Sequence, residues 1–566
     1  MESKEKLIQK LFSQGVLVTK DLLDKIENDE NNSLLGKIES EQDMLVVTDD
    51  YVELLQDDGR LIDWYEMDKY RVDFEKEGDE DLYQSQLQQF GMVNLQGASS
   101  TDSLSKTSIH SLEATNKSDG AEISFEDEGE IFSDTMITED NNFDDDINIS
   151  YKVMVNYAHI AKKYSVKDFS NVFRSRYKFL ERIIRGHPEM KGVTSISRVL
   201  QKKEKENCAI IGVVFDIALT KNNNYIITVE DLTGQIKVII SQKNKEVFEQ
   251  AKELIFDEVV GIVGSNSGDI MFASEIIWPD IPSGKEIKKA EIEEYAIFLS
   301  DIHVGSNNFL ANEFQKCINW IKAETGSSTQ KDLASKIKYI FIAGDVVDGI
   351  GIYPSQNQEL NILEMKGQYA EFTKYLKQRT KDKKIFICPG NHDVVHLAEP
   401  QSVFYKEYTQ ELHDMENVHL VSNPSMITIA KTEDFEGINV LMYHGYSFDY
   451  YVANVDSIRN NGGYNRADLI MKFLLKRRHL APAFKSTPYL PAFDLDPLLI
   501  THVPDIMISG HIHYSSVATY KGVTMICGSC WQSKTDFQEK LGHNPEPGRV
   551  PVVNLKTREV KVLRFV

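Results

Sequence analysis

Five short apolar runs in this chain each pass, within a few positions, into side chains that bind metal or carry protons. They are Phe298-Leu-Ser-Asp301-Ile-His303, Phe341-Ile-Ala-Gly344-Asp345-Val-Val-Asp348, Cys388-Pro-Gly-Asn391-His392-Asp393, Met442-Tyr-His444-Gly445 and Met507-Ile-Ser-Gly510-His511-Ile-His513. An apolar run that stops at a reactive polar group reads as a buried strand feeding a loop. Five such loops meet only where parallel strands end along one edge of an α/β sandwich, which constrains the fold of residues 284–566. The pattern predicts strands over Tyr295–Leu299, Tyr339–Ala343, Lys384–Cys388, Ile438–Tyr443 and Ile506–Ser509, with helices such as Phe314–Glu324 and Leu360–Gln378 between them.

The rest of the 566 residues, 41% apolar, suffices for more than one further core, so a multidomain α+β chain is expected. The start Met-Glu-Ser-Lys-Glu-Lys lacks the apolar core of a signal peptide, and no apolar run approaches the roughly 20 residues that span a bilayer. A soluble, cytoplasmic protein without a membrane partner is the expectation. The cysteines Cys208, Cys317, Cys388, Cys527 and Cys530 are odd in number and scattered, which argues against a disulfide framework. Cys527 and Cys530 form one C-x-x-C, but a structural zinc needs a second pair, so buried strand thiols are expected.

The net charge of −24 is unevenly placed: Ser99 to Ser150 holds fourteen acidic residues against Lys106 and Lys117, a local balance of −12. That stretch, rich in Ser, Thr, Asn and Asp, buries too little apolar surface to offset chain entropy, which predicts a disordered acidic linker over 74–150. Ahead of it, Leu7, Ile8, Leu11, Phe12 and, beyond Gly15, Leu22, Leu23 and Ile26 predict a small helical module over 1–73. After it, 151–190 reads as a basic helical connector: Phe173, Tyr177, Leu180 and Ile184 share one face of a helix Val166–Arg185, which Pro188 stops, and Arg174, Arg176, Lys178, Arg182 and Arg185 decorate the rest. A phosphate backbone and plain solvent are equally served by that basic face.

From 191 to 283 the pattern changes to short strands, Cys208–Ala218, Tyr225–Glu230, Ile236–Ile240, Val259–Val263 and Asp269–Ile277, with a helix Lys245–Ile255 between the third and fourth. That order is the order of an OB-fold barrel, which binds single strands in some proteins and other proteins elsewhere. Phe215 and Tyr225 are its candidate stacking platforms, with core packing the expected use of Phe215.

The residue types in the five segments explain the chemistry expected of them. Asp301 and His303 stand two apart at a strand end, as do His511 and His513, so each pair can point toward one ion. Asp345, after Gly344, offers two oxygens to bridge two cations, Asn391 a neutral oxygen and His444 an imidazole. Mixed oxygen and nitrogen donors without thiolate suit Mn²⁺, Fe²⁺ or Zn²⁺. Such a site hydrolyses a phosphodiester by in-line attack at phosphorus, with His392 stabilising or protonating the leaving 3′ oxygen. Asp348 and Asp393 read as groups behind the ligands that orient their imidazoles. In the insert Met471–Pro482, Lys472, Lys476, Arg477, Arg478 and His479 form a basic cluster suited to a primer end or to a partner surface; Tyr446, Phe448, Tyr450 and Tyr451 suit stacking on a terminal base or packing on a strand.

The pattern D-x-H, G-D-x-x-D, G-N-H-D, H-G and G-H-x-H resembles that of the calcineurin-like metallophosphoesterase superfamily. The resemblance implies one metal on Asp301, His303, Asp345 and His513 and another on Asp345, Asn391, His444 and His511. Together with the barrel, the insert, and the tail Trp531–Gln538 through Asn544–Pro551, the chain from about 190 onward is similar to the small subunits of archaeal family D replicative DNA polymerases. That resemblance implies a 3′–5′ proofreading exonuclease dependent on two divalent ions, Mn²⁺ foremost, acting on primer-template DNA in the nucleoid. It also implies a large subunit that polymerises with Mg²⁺, and work with a sliding clamp, although no convincing clamp-binding peptide is found. A stand-alone phosphoesterase or repair nuclease, and an assembly subunit with vestigial catalysis, are the competing readings.

Overall fold

The computed structural model describes residues 17–18, 46–47, 151–158, 162–202, 204–378, 382–535, 538–539 and 544–566. Met1–Ser124 and Phe125–Val566 form separate compact units. In the first, β1 (Leu17–Val18) pairs in parallel with β2 (Val46–Val47). The helices expected within 1–73 and the linker over 74–150 lie outside the described residues.

Residues 284–566, joined by one strand from ahead of the barrel, build a sandwich of two six-stranded sheets. One sheet runs in the order β12 (Val418–Leu420), β11 (Lys384–Cys388), β10 (Ile337–Ala343), β9 (Tyr295–Leu299), β18 (Arg549–Asn554), β19 (Val560–Arg564). The other runs β16 (Ser516–Tyr520), β17 (Val523–Cys527), β15 (Ile506–Ser509), β14 (Ile438–Met442), β13 (Ser425–Ile429), β3 (Tyr151–Val155). The edge strand β3 corrects the expected all-helical connector: Tyr151–Val155 pairs antiparallel with Met426–Ile429, because an exposed edge accepts any short extended segment.

Alternation assigns each strand's residues to layers. Phe298, Phe341 and Phe386 point between the sheets, with ring centroids 5.3 and 5.1 Å apart, and meet Ile427, Val440 and Ile508 there. Ile297, Ile340 and Ile385 point outward against the helices Ala311–Ile321 and Met365–Leu376. Leu441 and Met507 face the helices Phe448–Asn454 and Ala467–Arg477 on the other side. The strands read as continuous apolar runs because both faces are covered.

Ahead of the sandwich, β4 (Asn207–Leu219), β5 (Tyr225–Asp231), β6 (Gly234–Ile240), β8 (Ile270–Ile277) and β7 (Val259–Ser267) close a barrel in that order, and the helix Lys245–Ala251 lies between β6 and β7 in the chain. The long helix Val166–Arg185 starts at Ser165, whose backbone N–H donates to the Asp168 carboxylate at 2.7 Å, and packs Tyr177, Leu180 and Ile184 on Ala209, Ile211 and Val259 of the barrel. Arg176 is not on its solvent face as expected: it is buried and paired with Asp496 at 2.6 Å. Phe215 is 57% exposed, not core, because a bulge between Val214 and Asp216 breaks the alternation there. All five cysteines are buried free thiols. Among the described residues no helix is long and apolar enough to cross a membrane.

Candidate metal centre

The strands β9, β10 and β11 lie side by side and parallel, as do β14 and β15, so the loops after Leu299, Ala343, Cys388, Met442 and Ser509 leave one edge of the sandwich together. Glycine is required beside them. A Cβ on Gly390 would collide with the Asp345 carboxylate, one on Gly510 with Asp301, and one on Gly344 with the His444 ring. Asp301, His303, Asp345, His511 and His513 all have left-handed backbones, with φ of 50°, 55°, 50°, 70° and 56°. Each costs roughly 1 kcal/mol or more, and such strain persists where the surroundings hold a functional group in place. The paired residues therefore converge through left-handed turns beyond the strand ends, which corrects the expected cause, strand alternation.

The donor atoms form two groups that meet at Asp345. His303 Nε2 and His513 Nε2 are 3.0 Å apart, and His513 Nε2 is 3.5 Å from Asp301 Oδ1. His444 Nε2 lies 3.2 Å from Asp345 Oδ2 and 3.0 Å from Asn391 Oδ1, which is also 2.9 Å from His511 Nδ1. Asp345 Oδ2 is 4.0 Å from His303 Nε2, so one carboxylate faces both groups.

Asp301, Asp345 and Asp348 are buried, and among the described residues every ion-pair partner they have is an imidazole. Burial pushes Asp345 upward, but His444 and His392 outweigh it and hold it well below the ordinary carboxylate range. Burial alone would lower His444, yet Asp345 and then Asp301 raise it to about 10. An edge that stabilises positive charge this strongly, with oxygen and imidazole donors converging on two points, fits two divalent cations.

Groups behind these donors fix their orientation. Asp348 Oδ1 is 3.1 Å from His303 Nδ1, leaving Nε2 free to face the group, and Asp348 is itself held by Gln356 and Gln532 at 2.9 and 2.8 Å. His444 Nδ1 donates to Ala343 O at 2.8 Å. Asp393 differs from expectation: it touches no imidazole but accepts from the Gly390 N–H at 2.9 Å and the Tyr369 hydroxyl at 3.1 Å, so it shapes the loop. Burial, then Asp345, raises Asp393 to about 7. His392 Nδ1 meets Asp348 O at 2.6 Å, and its ring stands edge-on to His303 at 4.7 Å. Burial lowers its pKa, with Asp345 opposing.

Sequence reasoning missed Asp449, 3.0 Å from His511 Nε2, and Gln356, whose neighbourhood carried no motif. Gln532 and Gln538, the latter 2.9 Å from His513 Nδ1, fall in the tail that had been singled out, so a signal was present without an assigned role.

Arg477, Arg478 and His479 of the insert's basic cluster are buried in internal pairs and not displayed to solvent. Arg477 is buried and pairs with Glu258 of the barrel at 2.7 Å, Arg478 donates to the carbonyls of Ile500 and Thr501, and Lys476 pairs with Glu253 at 2.9 Å. His479 is buried against Asp496 at 2.9 Å. Lys476 and Arg477 cross the seam between helix Ala467–Arg477 and the barrel, where carboxylates offset the cost of burying them, whereas Arg478 and His479 bond within the sandwich. Lys472 stays exposed over Tyr520. Phe448 and Tyr451 are fully buried core residues, Tyr450 is half-buried against Tyr451, and half-buried Tyr446 alone of these aromatics lies beside a metal-site residue, 5.6 Å from the His511 ring.

Residues 296–515 match the calcineurin-like phosphoesterase family. The chain is 38% identical over 400 residues to the DNA polymerase II small subunit of Methanothermobacter thermautotrophicus, covering 71% of this chain and 80% of that one. It is 39% identical to the namesake from Archaeoglobus fulgidus, over 71% of this chain and 78% of that one. The chain belongs to the archaeal DNA polymerase II small subunit family. As a small subunit carrying a phosphoesterase domain, it has divalent metals as its implied cofactors, and the two donor groups are where its residues suit them. A further relative, from Thermoplasma acidophilum, is 37% identical over 71% of this chain and 78% of its own length.

Proposed function

We propose that this small subunit is the 3′–5′ proofreading exonuclease of a heteromeric replicative DNA polymerase, removing nucleotides from mismatched or single-stranded primer ends. The observation that supports the reading is the buried carboxylate set Asp301, Asp345 and Asp348, whose ion-pair partners among the described residues are all imidazoles, in a polymerase subunit family. Asp301, His303, His513 and Asp345 would hold one cation, and Asp345, Asn391, His444 and His511 the other, Mn²⁺ being the proposed metal, with Fe²⁺ or Zn²⁺ as alternatives. Bound there, the pair supplies positive charge to the phosphate oxygens and acidifies water.

The chain's own residues do the rest. His392 commits Nδ1 to the Asp348 carbonyl, so the proton for the leaving 3′ oxygen is carried at Nε2. Asp348 and Asp449 orient His303 and His511. Tyr446 stacks on the terminal base. The five-stranded barrel is read as an OB fold whose exposed Phe215, Leu219 and Phe272 meet a partner chain, the large subunit that polymerises with Mg²⁺; a sliding clamp and the cytoplasmic nucleoid complete the setting.

The test is a 5′-labelled, 3′-mismatched primer-template incubated with Mn²⁺ and the full chain, alone and with its large subunit. Stepwise shortening from the 3′ end is expected, falling to background in Asp345→Ala and in His392→Ala, with metal content kept in the latter. No shortening even in the assembled complex would return the chain to a scaffold role or to another phosphoester.

A further inference from the structure

Immediately after Asp348 the chain runs Gly349-Ile350-Gly351-Ile352-Tyr353, and both isoleucines face solvent, 45% and 39% exposed, at the mouth of a site whose other members are polar. Exposed aliphatic side chains in a fixed loop beside reacting groups invite a ligand explanation. The loop is held from several sides. Gly349 and Gly351 take left-handed φ of 78° and 76°. The Gln356 side chain accepts from the Ile352 N–H at 2.8 Å while donating to Asp348, and the Gln368 amide exchanges hydrogen bonds with Gly349 at 3.0 and 3.1 Å and reaches the Ile362 carbonyl at 2.8 Å.

That last bond ties the loop to the turn bearing Leu363, 62% exposed. The wall adjoins His392. A Cβ placed on Gly349 would lie 2.5 Å from the His392 carbonyl oxygen and 3.0 Å from Ile352 Cγ1, and the Tyr353 ring is 6.4 Å from the His392 ring. Tyr446 lies instead beside His511. The His392 end therefore carries Ile352 beside the Tyr353 ring, and the His511 end carries the Tyr446 ring.

We propose that Ile350 and Ile352 form a preformed wall against the nucleobase on the leaving-group side of the scissile phosphate, the penultimate base of the primer strand. The inference rests on the exonuclease reading, in which His392 serves the leaving 3′ oxygen and its nucleoside must lie on that side. Three exposed side chains fall far short of the roughly 800 Å² per partner of a stable protein interface, whereas one base face matches their extent. A loop already held by two glutamines loses little further entropy when the base arrives. A base gripped there leaves the helical stack, so unpaired ends are the favoured substrates.

The test crosses the wall with the base. The full chain, with Mn²⁺ and its large subunit, is given oligonucleotides whose penultimate position carries a normal base or an abasic sugar, and initial rates at sub-saturating DNA are compared for wild type, Ile350→Ser and Ile352→Ser. Wild type should lose about tenfold on the abasic strand, each serine variant about as much on the normal strand, and the two losses should not add, the signature of a direct contact. Ile352→Leu should restore the preference for the normal base. Additive losses, or a wild type indifferent to the abasic sugar, would overturn the wall. A wild type that cuts neither oligonucleotide yet hydrolyses a small phosphodiester would sink the exonuclease reading itself and this inference with it.

Discussion

Two buried polar clusters of this protein use the same residue types to opposite ends. At the seam between barrel and sandwich, Arg477 meets Glu258, Arg176 meets Asp496, and His479 donates to Asp496 while its other nitrogen accepts the Ala481 N–H at 2.9 Å. Arg477, Arg176 and His479 each meet a carboxylate from the protein on ordinary backbone, while neighbouring Arg478, at φ 52°, donates to the Ile500 and Thr501 carbonyls. At the candidate metal centre the carboxylates' ion-pair partners among the described residues are all imidazoles, and five of the proposed ligands sit on left-handed backbone. The first cluster holds barrel and sandwich in register; the second gathers carboxylates and imidazoles on left-handed backbone in an arrangement that would suit divalent cations. Residue type does not separate structural from functional charge, but counter-charge and backbone conformation do.

Variants at each cluster can break that contrast. The largest effect is expected from Asp345→Ala, which takes hydrolysis to background with little loss of folding stability; a variant that unfolds while the metal-loaded wild type stays intact would place Asp345 with the structural charges instead. Next is Glu258→Ala, which strands Arg477 and the Trp278 indole N–H and should cost about 3–5 kcal/mol in urea unfolding of the full chain. Replacing Glu258 and Arg477 together by Gln and Met should recover most of that, whereas no such apolar exchange can rescue the metal centre.

A pH profile sharpens the contrast further. Burial, then Arg176, lowers His479 from 6.5 to about 4, against the pull of Asp496. A group whose folded pKa is depressed contributes stability that is complete above its unfolded pKa and lost as pH falls through the folded one, here between about 6.5 and about 4. A shift of this size corresponds to on the order of 3 kcal/mol. Melting curves across that window should fall steeply for wild type and more gently for His479→Gln. The smallest expected effect is that of Asp348→Asn, which leaves the ligands present but loosens His303: metal affinity measured by calorimetry should drop about 10–100-fold, with the melting temperature of the metal-free chain nearly unchanged.

Much of the sandwich was legible because its strands are continuous apolar runs. Tyr295–Leu299, Lys384–Cys388 and Ile506–Ser509 match their expected limits to the residue, and the barrel strands and the helix Val166–Arg185 fall where the pattern put them. The edge strand Tyr151–Val155 was not legible, since five half-buried residues are too few to carry a periodic signal and the partner lies some 270 residues away in the order of the chain. The Arg477–Arg478 pair misled for a related reason: a basic run looks the same whether it faces solvent or a carboxylate brought by another domain.

By itself the sequence determined the composition of the centre, because metal chemistry restricts donors to a few residue types and the adjoining apolar runs mark them as loop residues at strand ends. Tertiary structure decided everything that depends on which chain segments meet. It placed Asp345 between two donor groups, turned Asp393 to the backbone and Asp348 to His303, brought Asp449 to His511, exposed Phe215 through a bulge, and buried Arg176 and Arg477 against distant acids. Those outcomes rest on long-range packing and counter-charge, which are properties of pairs of residues far apart in the chain and leave no mark on either one alone.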